Sequence, residues 1–519
     1  MRHYDVVVLG RSLGALTLAA LLARRDFSVL LLGQEQRPYS YQFERFRLKR
    51  RSFSLLFGAS PVWRRVLHEL AQSPSFRRKT HALEPMFSMC APGRRLQVSA
   101  RPEVFEREVE REFSEVKQLV DEFYAQLATA NAAIDAAFSR DMVWPPESFW
   151  DRFGAARVAS SLPYLDNDEA GDLLGKFPLD HPYRELATLP AVFASDLDYA
   201  VMGLPGLALA RLHGFWTRGL DALTRGGDEL DDFLLERFQA HGGIVELSRK
   251  AESLVVRGGR IVGVVEDGAS DAIGADAVVT CLSGEAIAQL ARGDGITNQA
   301  KERWPQVTAS AGRFVVSVVV KSSGVPSPLP AETFLLPPDS PYPDPRQPVV
   351  HLQRIDASGL GPDANPDETL LVAEAIIPAE GALTLHEARS SVMNTLDLHF
   401  PFLRKHIVLL DSPHDGLPLE DYSQGTRREI DRIHVLQSSP KPEYMEHQWS
   451  VEPTGYLGLA AEPCVGPIPG SYLVGKTTLP ALGQEGELLA AWSVAKMLTR
   501  KDSVRQRRRR QLWTKIETG

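Results

Sequence analysis

The stretch VVVLGRSLGALTLAALLARR, residues 6–25, constrains the fold of this chain more than any other segment. A near-continuous run of branched apolar residues ends in Gly10, as in a buried parallel strand, and an Ala- and Leu-rich helical segment follows. A second apolar run, FSVLLLG at 27–33, completes a β–α–β unit. We therefore predict an α/β protein that begins with a Rossmann-like, three-layer dinucleotide-binding domain.

The turn between the first strand and the helix carries part of the dinucleotide fingerprint G-x-G-x-x-G. Gly10 occupies the first position, but Ser12 and Ala15 stand where the second and third glycines are expected. Backbone amides at a helix N-terminus favour anionic oxygens, so Gly10, Ser12, Leu13 and Gly14 are candidate pyrophosphate contacts. The alternative is a strand–helix turn that binds nothing.

Composition places the chain among ordinary globular proteins. Its 519 residues are 44% hydrophobic and 24% charged, enough for two interleaved domains. The three cysteines are far apart and form no C-x-x-C pair, which argues against a zinc site or a disulfide framework and suits a reducing cytoplasm. No apolar run reaches the length of a membrane span, and a strand that starts at Tyr4 leaves no room for a signal peptide.

Charge is distributed unevenly along the chain. The net charge is −8, yet the segment 500–519 has eight Lys or Arg against two acidic residues, so the remainder is strongly acidic. A basic terminus is most simply a solvated tail. Leu512 and Trp513 within it suggest contact with an anionic membrane surface as a second interpretation, and nucleic acid is the third.

A second domain is indicated by alternating apolar strands at 313–321, 349–355 and 369–378. We expect an α+β substrate domain built on a mostly antiparallel sheet. The expected division is a discontinuous first domain at 1–60, 200–300 and 450–500, a substrate domain at 61–199 and 301–449, and a basic tail at 501–519.

The order of several segments along the chain carries information about the family. HGG at 241–243 precedes a β-meander and ADAVVTCL at 275–282, and the chain closes with YLVG at 472–475 and ALGQEGELLAAW at 481–492. This arrangement resembles the FAD-dependent amine-oxidase superfamily, most closely its phytoene desaturase and carotenoid isomerase-like branch. The resemblance covers nearly the whole chain and is weakest at 60–200.

The resemblance implies FAD as the cofactor and assigns roles around its adenosine half. A Glu or Asp normally ends the second strand and binds the ribose, but Gly33 stands there, which leaves Gln34 or Glu35 as substitutes. Arg37 is the replacement for the arginine of a missing Gly-Gly-Arg segment. The adenine is expected on main-chain groups of Ala251. A solvated loop and a plain strand are the alternatives for these positions.

The C-terminal segment is expected at the flavin end. There the helix N-terminus would face the flavin N1/O2 edge and stabilise the reduced, anionic ring. The candidate contacts are Gly475, Lys476, Gly483, Gln484, Glu485 and Gly486. An Asp common in flavoproteins is absent after Gly475. Glu485 and Glu487 also suit helix capping alone.

Hydride exchange between flavin N5 and a C–H or C=C bond is the chemistry that this resemblance implies. His351 is the one candidate acid–base residue, with a hydrogen-bonded structural histidine as the alternative. No motif for hydrolytic, metal or phosphoryl chemistry is present, and no metal site is expected.

The expected partner is a hydrophobic small molecule, and no nucleic acid is expected. The segments 46–70 and 500–515 mix basic with apolar residues, which suggests peripheral contact with an anionic membrane or, for 46–70, an amphipathic helix after a basic loop. The expected location is the cytoplasm, with membrane association as the variant. The oligomeric state is left open.

Three functional hypotheses follow. The first is an FAD-dependent desaturase, isomerase or saturase acting on a long apolar, polyene-like substrate. The second is a catalytically silent relative that serves as a binding or scaffold protein, which Ser12, Gly33 and the missing Gly-Gly-Arg favour. The third is a flavin amine oxidase, which requires an aromatic pair beside the flavin.

Overall fold

The computed structural model describes residues 2–163, 173–292, 295–298, 302, 304–338, 346–381, 383–436, 441–500 and 502. The basic tail, and with it almost all of the segment 500–515, lies outside these residues.

The described strands, in chain order, are β1 (His3–Leu9), β2 (Val29–Leu32), β3 (Ser40–Phe43), β4 (Phe46–Lys49), β5 (Thr80–Ala82), β6 (Phe87–Ala91), β7 (Arg94–Val98), β8 (Asp221–Leu223), β9 (Ile244–Glu246), β10 (Ala251–Arg257), β11 (Arg260–Glu266), β12 (Ala272–Thr280), β13 (Gln306–Lys321), β14 (Glu332–Leu335), β15 (Val350–Asp356), β16 (Glu368–Pro378), β17 (Ile407–Asp411), β18 (Leu419–Asp421), β19 (Arg428–Ile430), β20 (Glu446–Glu452) and β21 (Ser471–Leu473).

The described α-helices are α1 (Leu13–Arg24), α2 (Pro61–Glu69), α3 (Ser73–Arg77), α4 (Pro102–Phe113), α5 (Lys117–Phe138), α6 (Phe149–Ala159), α7 (Pro182–Ala194), α8 (Tyr199–Met202), α9 (Gly206–Thr217), α10 (Gly227–Ala240), α11 (Gly284–Leu290), α12 (Ala357–Leu360), α13 (Leu385–His399), α14 (Arg432–Leu436) and α15 (Gly483–Arg500).

The first sheet has a parallel centre. Strands β21, β12, β1, β2 and β9 pair in parallel in that spatial order, and β10 and β11 extend the sheet as an antiparallel pair beside β12. Because β1 is buried on both faces, its continuous apolar run is what a central parallel strand requires.

Helices α1, α10 and α15 cover one face of this sheet, where Val6 and Val8 belong to their core. On the other face Val7 and Leu9 pack with the β10–β11 pair. The alternation of β1 side chains between these two cores gives the predicted three-layer arrangement.

The second sheet is mostly antiparallel, as predicted. Its order is β19–β18–β17–β13–β16–β15–β14–β6–β7, with β20 also paired to β13 and with β14–β6 as its parallel pair. The long strand β13 is central, since it pairs with β16 along one edge and with β17 and β20 along the other. Helix α13 packs on one face of this sheet.

The hairpin β3–β4 packs against the other face of the second sheet. Tyr41, Phe43, Phe46 and Leu48 share a core with Val315 and its neighbours on β13. Residues 40–49 therefore pack with the second sheet, although the expected boundary placed them in the first domain.

The segment 46–70 is largely internal. Its apolar side chains on β4, on α2 and between them are buried in the cores of the molecule. This burial does not fit the membrane-facing rim expected of the segment, because an apolar surface must be exposed to meet a bilayer. Among the described residues, no helix is both long and apolar enough to cross a membrane.

Candidate functional site

The candidate site lies where β1, β2 and β12 end and α1 begins. In an open parallel sheet the carboxyl ends of adjacent strands form a crevice, and the amides of the following helix point into it. Gly10 has a φ of +104° there, a conformation that suits glycine, and Ser12 caps α1 by accepting a hydrogen bond from the Ala15 N–H at 3.3 Å. Leu13, the first residue of α1, is buried.

A carboxyl group of the chain itself lies at this helix N-terminus. The Gly14 N–H donates to Oε2 of Glu487 at 3.1 Å, and the Ser12 hydroxyl also bonds to this carboxyl. Glu487 belongs to the first turns of α15 and is buried. Burial raises its pKa to about 7, while the nearby Lys476 ammonium opposes this rise. Glu487 therefore occupies the position at the N-terminus of α1 where a pyrophosphate was predicted.

A second side chain covers the glycine turn. The Arg11 N–H donates to Oε1 of Gln36 at 2.6 Å, and Nε2 of Gln36 lies 3.2 Å from Sγ of Cys281. A Cβ built on Gly10 would lie 2.2 Å from this Sγ and 3.0 Å from the Gln36 oxygen. The space that the absence of a side chain at Gly10 leaves open is thus filled by the side chains of Cys281 and Gln36.

The Arg11 side chain, which follows Gly10, turns toward α10. Its guanidinium lies 2.7 Å from the Asp231 carboxylate, whose pKa burial raises to about 6 against the opposing charge of Arg11. Gln36, Cys281, Asp231 and Glu487 were not among the predicted contacts. The acidic residue at 487 was a visible signal, but nothing in the sequence indicated that it meets α1.

The end of β2 has no room for the usual ribose-binding carboxylate. A Cβ on Gly33 would lie 1.9 Å from the carbonyl oxygen of Leu247, so a side chain is sterically excluded. Glu35, a predicted substitute, is exposed and pairs with Lys250 at 2.8 Å. Arg37 is also exposed, and its carbonyl accepts a hydrogen bond from Arg51.

The Gln34 side chain is hydrogen-bonded to the main-chain groups of Ala251, where adenine was predicted to bind. The Ala251 N–H donates to Oε1 of Gln34 at 2.5 Å, and Nε2 of Gln34 donates back to the Ala251 carbonyl at 3.4 Å. A primary amide offers a donor beside an acceptor, which is the pattern that an adenine edge would present to the same backbone groups. The two predicted cofactor contacts Gln34 and Ala251 therefore lie together, but they bond to each other and not to a cofactor.

The glycines of the C-terminal segment are packed against main chain. A Cβ on Gly475 would lie 2.0 Å from the Cys281 carbonyl, one on Gly483 would lie 2.0 Å from the Ala194 carbonyl, and one on Gly486 would lie 2.2 Å from the Leu479 carbonyl. Contacts within the protein are thus sufficient to require glycine at all three positions.

The polar residues at the start of α15 also have partners within the chain. Gln484 accepts from the Leu56 N–H at 3.2 Å and donates to the Ser54 carbonyl at 3.0 Å. Glu485 is fully buried and accepts two hydrogen bonds from the Arg211 guanidinium, at 2.7 and 2.6 Å, and one from Ser60 at 2.6 Å.

A charged cluster fills the region between α15 and the second sheet. Lys476 lies 3.3 Å from Asp196 and 3.0 Å from Glu446, and Arg313 lies 2.7 Å from Glu374. Both side chains are half-buried, and opposite charges nevertheless raise the pKa of Lys476 and lower that of Glu446. The cavity lined by this cluster measures about 60 Å³, which is room for a few water molecules and not for a three-ring flavin.

His351 lines the same small cavity from β15. It is buried, its Nε2 lies 2.7 Å from the Glu332 carboxylate, and its ring stacks on Phe334 with 5.0 Å between centroids. These contacts are those of a hydrogen-bonded structural histidine, and they leave its role as an acid–base residue a prediction.

A larger cavity of about 840 Å³ lies beside the second sheet, within the size range of ligand pockets. Its walls include Leu83, Leu329 and Ile355, together with Arg354, whose Nε is buried without a hydrogen-bond partner among the described residues. Phe53 lines both cavities and so stands between them.

FAD, the cofactor implied by the resemblance, does not fit these residues as they are arranged. Glu487 holds the anion position, Gln34 holds the adenine position, and Gly33 excludes a ribose-binding side chain. The flavin region contains the charged cluster of Lys476. Groups of the chain itself thus hold the predicted pyrophosphate and adenine positions.

Comparison with known proteins supports the fold. Residues 8–70 match a family described as an NAD(P)-binding Rossmann-like domain. No curated protein matches the chain at a significant level.

Three solved structures are similar over almost the whole chain. An oxidoreductase from Methanosarcina mazei shares 14% identity with a TM-score of 0.56, covering 95% of this chain and 99% of its own. A Pyrococcus furiosus protein shares 13% identity with a TM-score of 0.55, covering 96% and 97%. A triple mutant of putrescine oxidase, redesigned in its cofactor binding, shares 11% identity with a TM-score of 0.57, covering 96% and 99%.

The predicted fold class is thereby confirmed. The chain combines a Rossmann-like domain with a second sheet domain, in an architecture shared with oxidoreductases. Assignment to the phytoene desaturase branch stays a prediction.

Proposed function

We propose that this chain is a binding protein built on an oxidoreductase fold and working without a bound dinucleotide. The observation that carries the proposal is the hydrogen bond from the Gly14 N–H to the buried Glu487 carboxyl. A helix N-terminus binds a phosphate because its amides lack partners. Here an amide of α1 has a partner from the chain, so a pyrophosphate would have to displace it.

The adenosine half of the groove supports the same conclusion. The Gln34 amide pairs with both main-chain groups of Ala251, and Gly33 abuts the Leu247 carbonyl. Displacing Gln34 and Glu487 together would leave buried polar groups to be satisfied by the ligand, at a cost for each group. Chain groups fill both the pyrophosphate position and the adenine position of the groove. This favours a protein that works without the cofactor.

The ligand site of this binding protein is the cavity of about 840 Å³. Its walls combine apolar side chains with charged ones such as Lys49 and Arg51, and the buried Nε of Arg354 offers a further donor. We therefore expect an amphipathic small molecule with an apolar body and an acid or other hydrogen-bond acceptor group. A reducing cytoplasm is its expected location, because Cys90, Cys281 and Cys464 are free thiols.

The absorption spectrum of the purified full chain tests the absence of cofactor. We expect no flavin band near ~450 nm, none in the supernatant after acid denaturation, and none after incubation with excess FAD and gel filtration. A protein that retains one FAD per chain through gel filtration would overturn the proposal.

Binding of cis-parinaric acid, a fluorescent polyene acid, tests the cavity. Ala331→Trp places a large ring in the cavity wall and is expected to abolish the fluorescence enhancement. Ser270→Trp, in an exposed loop, is the matched control and should bind like the wild type. Equal binding by both variants would place the ligand elsewhere.

The second candidate is the FAD-dependent oxidoreductase acting on a long apolar substrate. It is favoured by the Rossmann-like match over 8–70 and by a large cavity separated from the start of α15 only by the shell around Phe53. This candidate requires Gln34 and Glu487 to rearrange when the cofactor binds. No observation on the described residues favours the flavin amine oxidase.

A further inference from the structure

A lysine amine lies at the wall of the large cavity. Lys49, the last residue of β4, lines the cavity of about 840 Å³, and its side chain is only 5% exposed. Phe46 and Leu48 of the same strand face the core of the second sheet, so strand alternation turns Lys49 to the other side. The Lys49 N–H donates to the Ser317 hydroxyl at 3.0 Å, which fixes the backbone. Lysine is among the residues least often buried, and it is then held by specific partners.

Two acceptors hold the Lys49 amine. Nζ donates to the Arg225 carbonyl at 3.2 Å and to Oδ2 of Asp228 at 3.3 Å. These partners flank Gly226 and Gly227, which line the cavity at the start of α10, so Nζ lies at the cavity wall. A neutral amine has two hydrogens and one lone pair, and the two acceptors suffice for its hydrogens. The lone pair then has no partner among the described residues and is available to a ligand.

The surroundings of Lys49 favour a neutral amine beside a proton acceptor. Burial lowers the pKa of Lys49, and the positive charges of Arg47 and Arg225 lower it further. The Asp228 carboxylate opposes both effects and accepts a hydrogen bond from the amine. Asp228 also accepts from the Ser40 hydroxyl at 2.6 Å and lies in the first turn of α10, where the helix dipole favours a carboxylate. A nucleophile and a proton acceptor are therefore held side by side.

We propose that Lys49 captures an amphipathic ligand that carries an aldehyde group, as a covalent imine. The inference rests on the ligand cavity of the proposed function and adds a covalent step to binding. The Nζ lone pair attacks the carbonyl carbon, a C–N bond forms, and the carbonyl π pair passes to oxygen. Two protons leave nitrogen by way of Asp228 and depart with that oxygen as water, when the C–O bond breaks.

The net reaction changes neither charge nor oxidation state. The Lys49 ammonium and the aldehyde become a protonated imine and one water, so no oxidant or reductant takes part. The positive charge stays beside Asp228, and the ion pair is kept. The site thus accepts the product without leaving a buried carboxylate unpaired.

A purely structural ion pair is the alternative for Lys49 and Asp228. The two side chains are 5% and 13% exposed, and the cost of removing both charges from water offsets most of what their attraction returns. Asp228 is already held by the hydroxyl and the N–H of Ser40, at 2.6 and 3.3 Å. A costly ammonium at the wall of a large cavity favours a reactive role over a structural one.

Reductive trapping tests the proposal on the full chain. With one equivalent of decanal and cyanoborohydride, which reduces an imine to a stable secondary amine, we expect a decyl group at Lys49 in peptide mass spectrometry. Lys49→Met should lose this adduct, as should Lys49→Arg, which keeps a positive charge beside Asp228 but has no nucleophilic amine. Lys176→Gln, at a lysine whose side chain is 54% exposed, is the matched control and should keep the adduct. A cooperative urea transition verifies that each variant is folded.

Displacement of cis-parinaric acid from the wild type separates this proposal from the proposed function. Decanal and decanol, which has the same chain without a carbonyl, should both displace the probe, and only decanal should leave an adduct. Displacement by decanal without an adduct at Lys49 overturns the covalent step and leaves the ligand cavity standing. Decyl groups spread equally over exposed lysines in the wild type and in Lys49→Met overturn it as well. A wild type that neither binds the probe nor forms the adduct overturns both proposals.

Discussion

Two glutamates at the start of α15, Glu485 and Glu487, point into different surroundings. Glu485 faces the Arg211 guanidinium and Ser60, whereas Glu487 faces the first turn of α1. Both side chains are buried, so each is held by specific partners and not by water. The physical consequences of changing them should therefore differ.

Protonation of Glu487 should make stability depend on pH. Its folded-state pKa of about 7 lies above the ordinary value of 4.5, because burial disfavours the ionised form more than Lys476 favours it. A raised folded-state pKa contributes stability that is complete below pH 4.5 and is lost as pH rises through 7. The free energy of unfolding of the wild type, relative to Glu487→Gln, should fall between pH 4.5 and pH 8 by at most roughly 3 kcal/mol.

Urea denaturation at a series of pH values measures this difference. Glu236→Gln, which removes an exposed carboxylate on α10, is the control and should keep a constant offset from the wild type. A pH-independent offset for Glu487→Gln as well would contradict the buried, perturbed carboxyl described here.

Removing Arg211 should be far more damaging than removing an exposed arginine. Arg211→Met leaves the fully buried Glu485 without its guanidinium, and breaking a buried pair in this way costs about 3–5 kcal/mol. The double variant Arg211→Met/Glu485→Gln should be more stable than Arg211→Met alone, because it removes the stranded charge. Urea denaturation of the two variants checks the order, and the reverse order would contradict the proposed role of the pair.

At the scale of elements, β2 and β9 meet so closely that the end of β2 admits only glycine. The two strands pair in parallel through Leu30–Ile244 and Leu32–Glu246, and the next residue, Gly33, abuts the Leu247 carbonyl. The missing ribose-binding carboxylate is therefore a consequence of strand packing as much as of one substitution.

Gly33→Ala should destabilise the protein. A Cβ at this position would lie 1.9 Å from a backbone oxygen, and overpacking of this kind costs about 1–3 kcal/mol or more. Gly175→Ala, where no heavy atom lies within 4 Å of the new Cβ, is the control and should change stability by less than about 0.5 kcal/mol. Equal unfolding midpoints for the two variants in urea would show that the β2–β9 edge is more open than described.

Most of the elements could be predicted from local pattern. The apolar runs that end at Gly10 and Gly33 form β1 and β2, and the alternating runs at 313–321, 349–355 and 369–378 form most of β13, β15 and β16. Such elements can be predicted because the spacing of apolar residues within one strand or helix shows which of its faces is turned toward a core. The segment 46–70 was harder to predict, since its mixture of basic and apolar residues does not say which neighbour covers the apolar side.

At the scale of the whole molecule, the two sheets meet across the charged cluster of Lys476, Asp196, Glu446 and Arg313. These residues come from distant segments, and their charges, buried or half-buried, compensate one another at the position where a flavin was expected. Ion pairs within the chain therefore bridge the two sheets at this junction.

Added dinucleotide should leave thermal stability unchanged. A ligand at one hundred times its Kd stabilises the folded state by about 2.7 kcal/mol, which raises Tm measurably. We expect no shift of Tm with millimolar FAD, NADP or ADP in differential scanning fluorimetry at constant ionic strength. A saturable rise with any of the three would show that the groove opens for that nucleotide.

The β–α–β start, the two-sheet architecture and the chemical character of the basic tail could all be predicted from the residues alone. These follow from patterns among neighbouring residues, where the physics of burial acts along a single strand or helix. The contents of the groove could be established only from the folded chain. The Gly14–Glu487 contact spans 473 positions and the Gln34–Ala251 contact spans 217, and local periodicity holds no information about such pairs. Fingerprint residues specify a turn that is able to hold a dinucleotide, whereas side chains from remote elements determine whether that space is free.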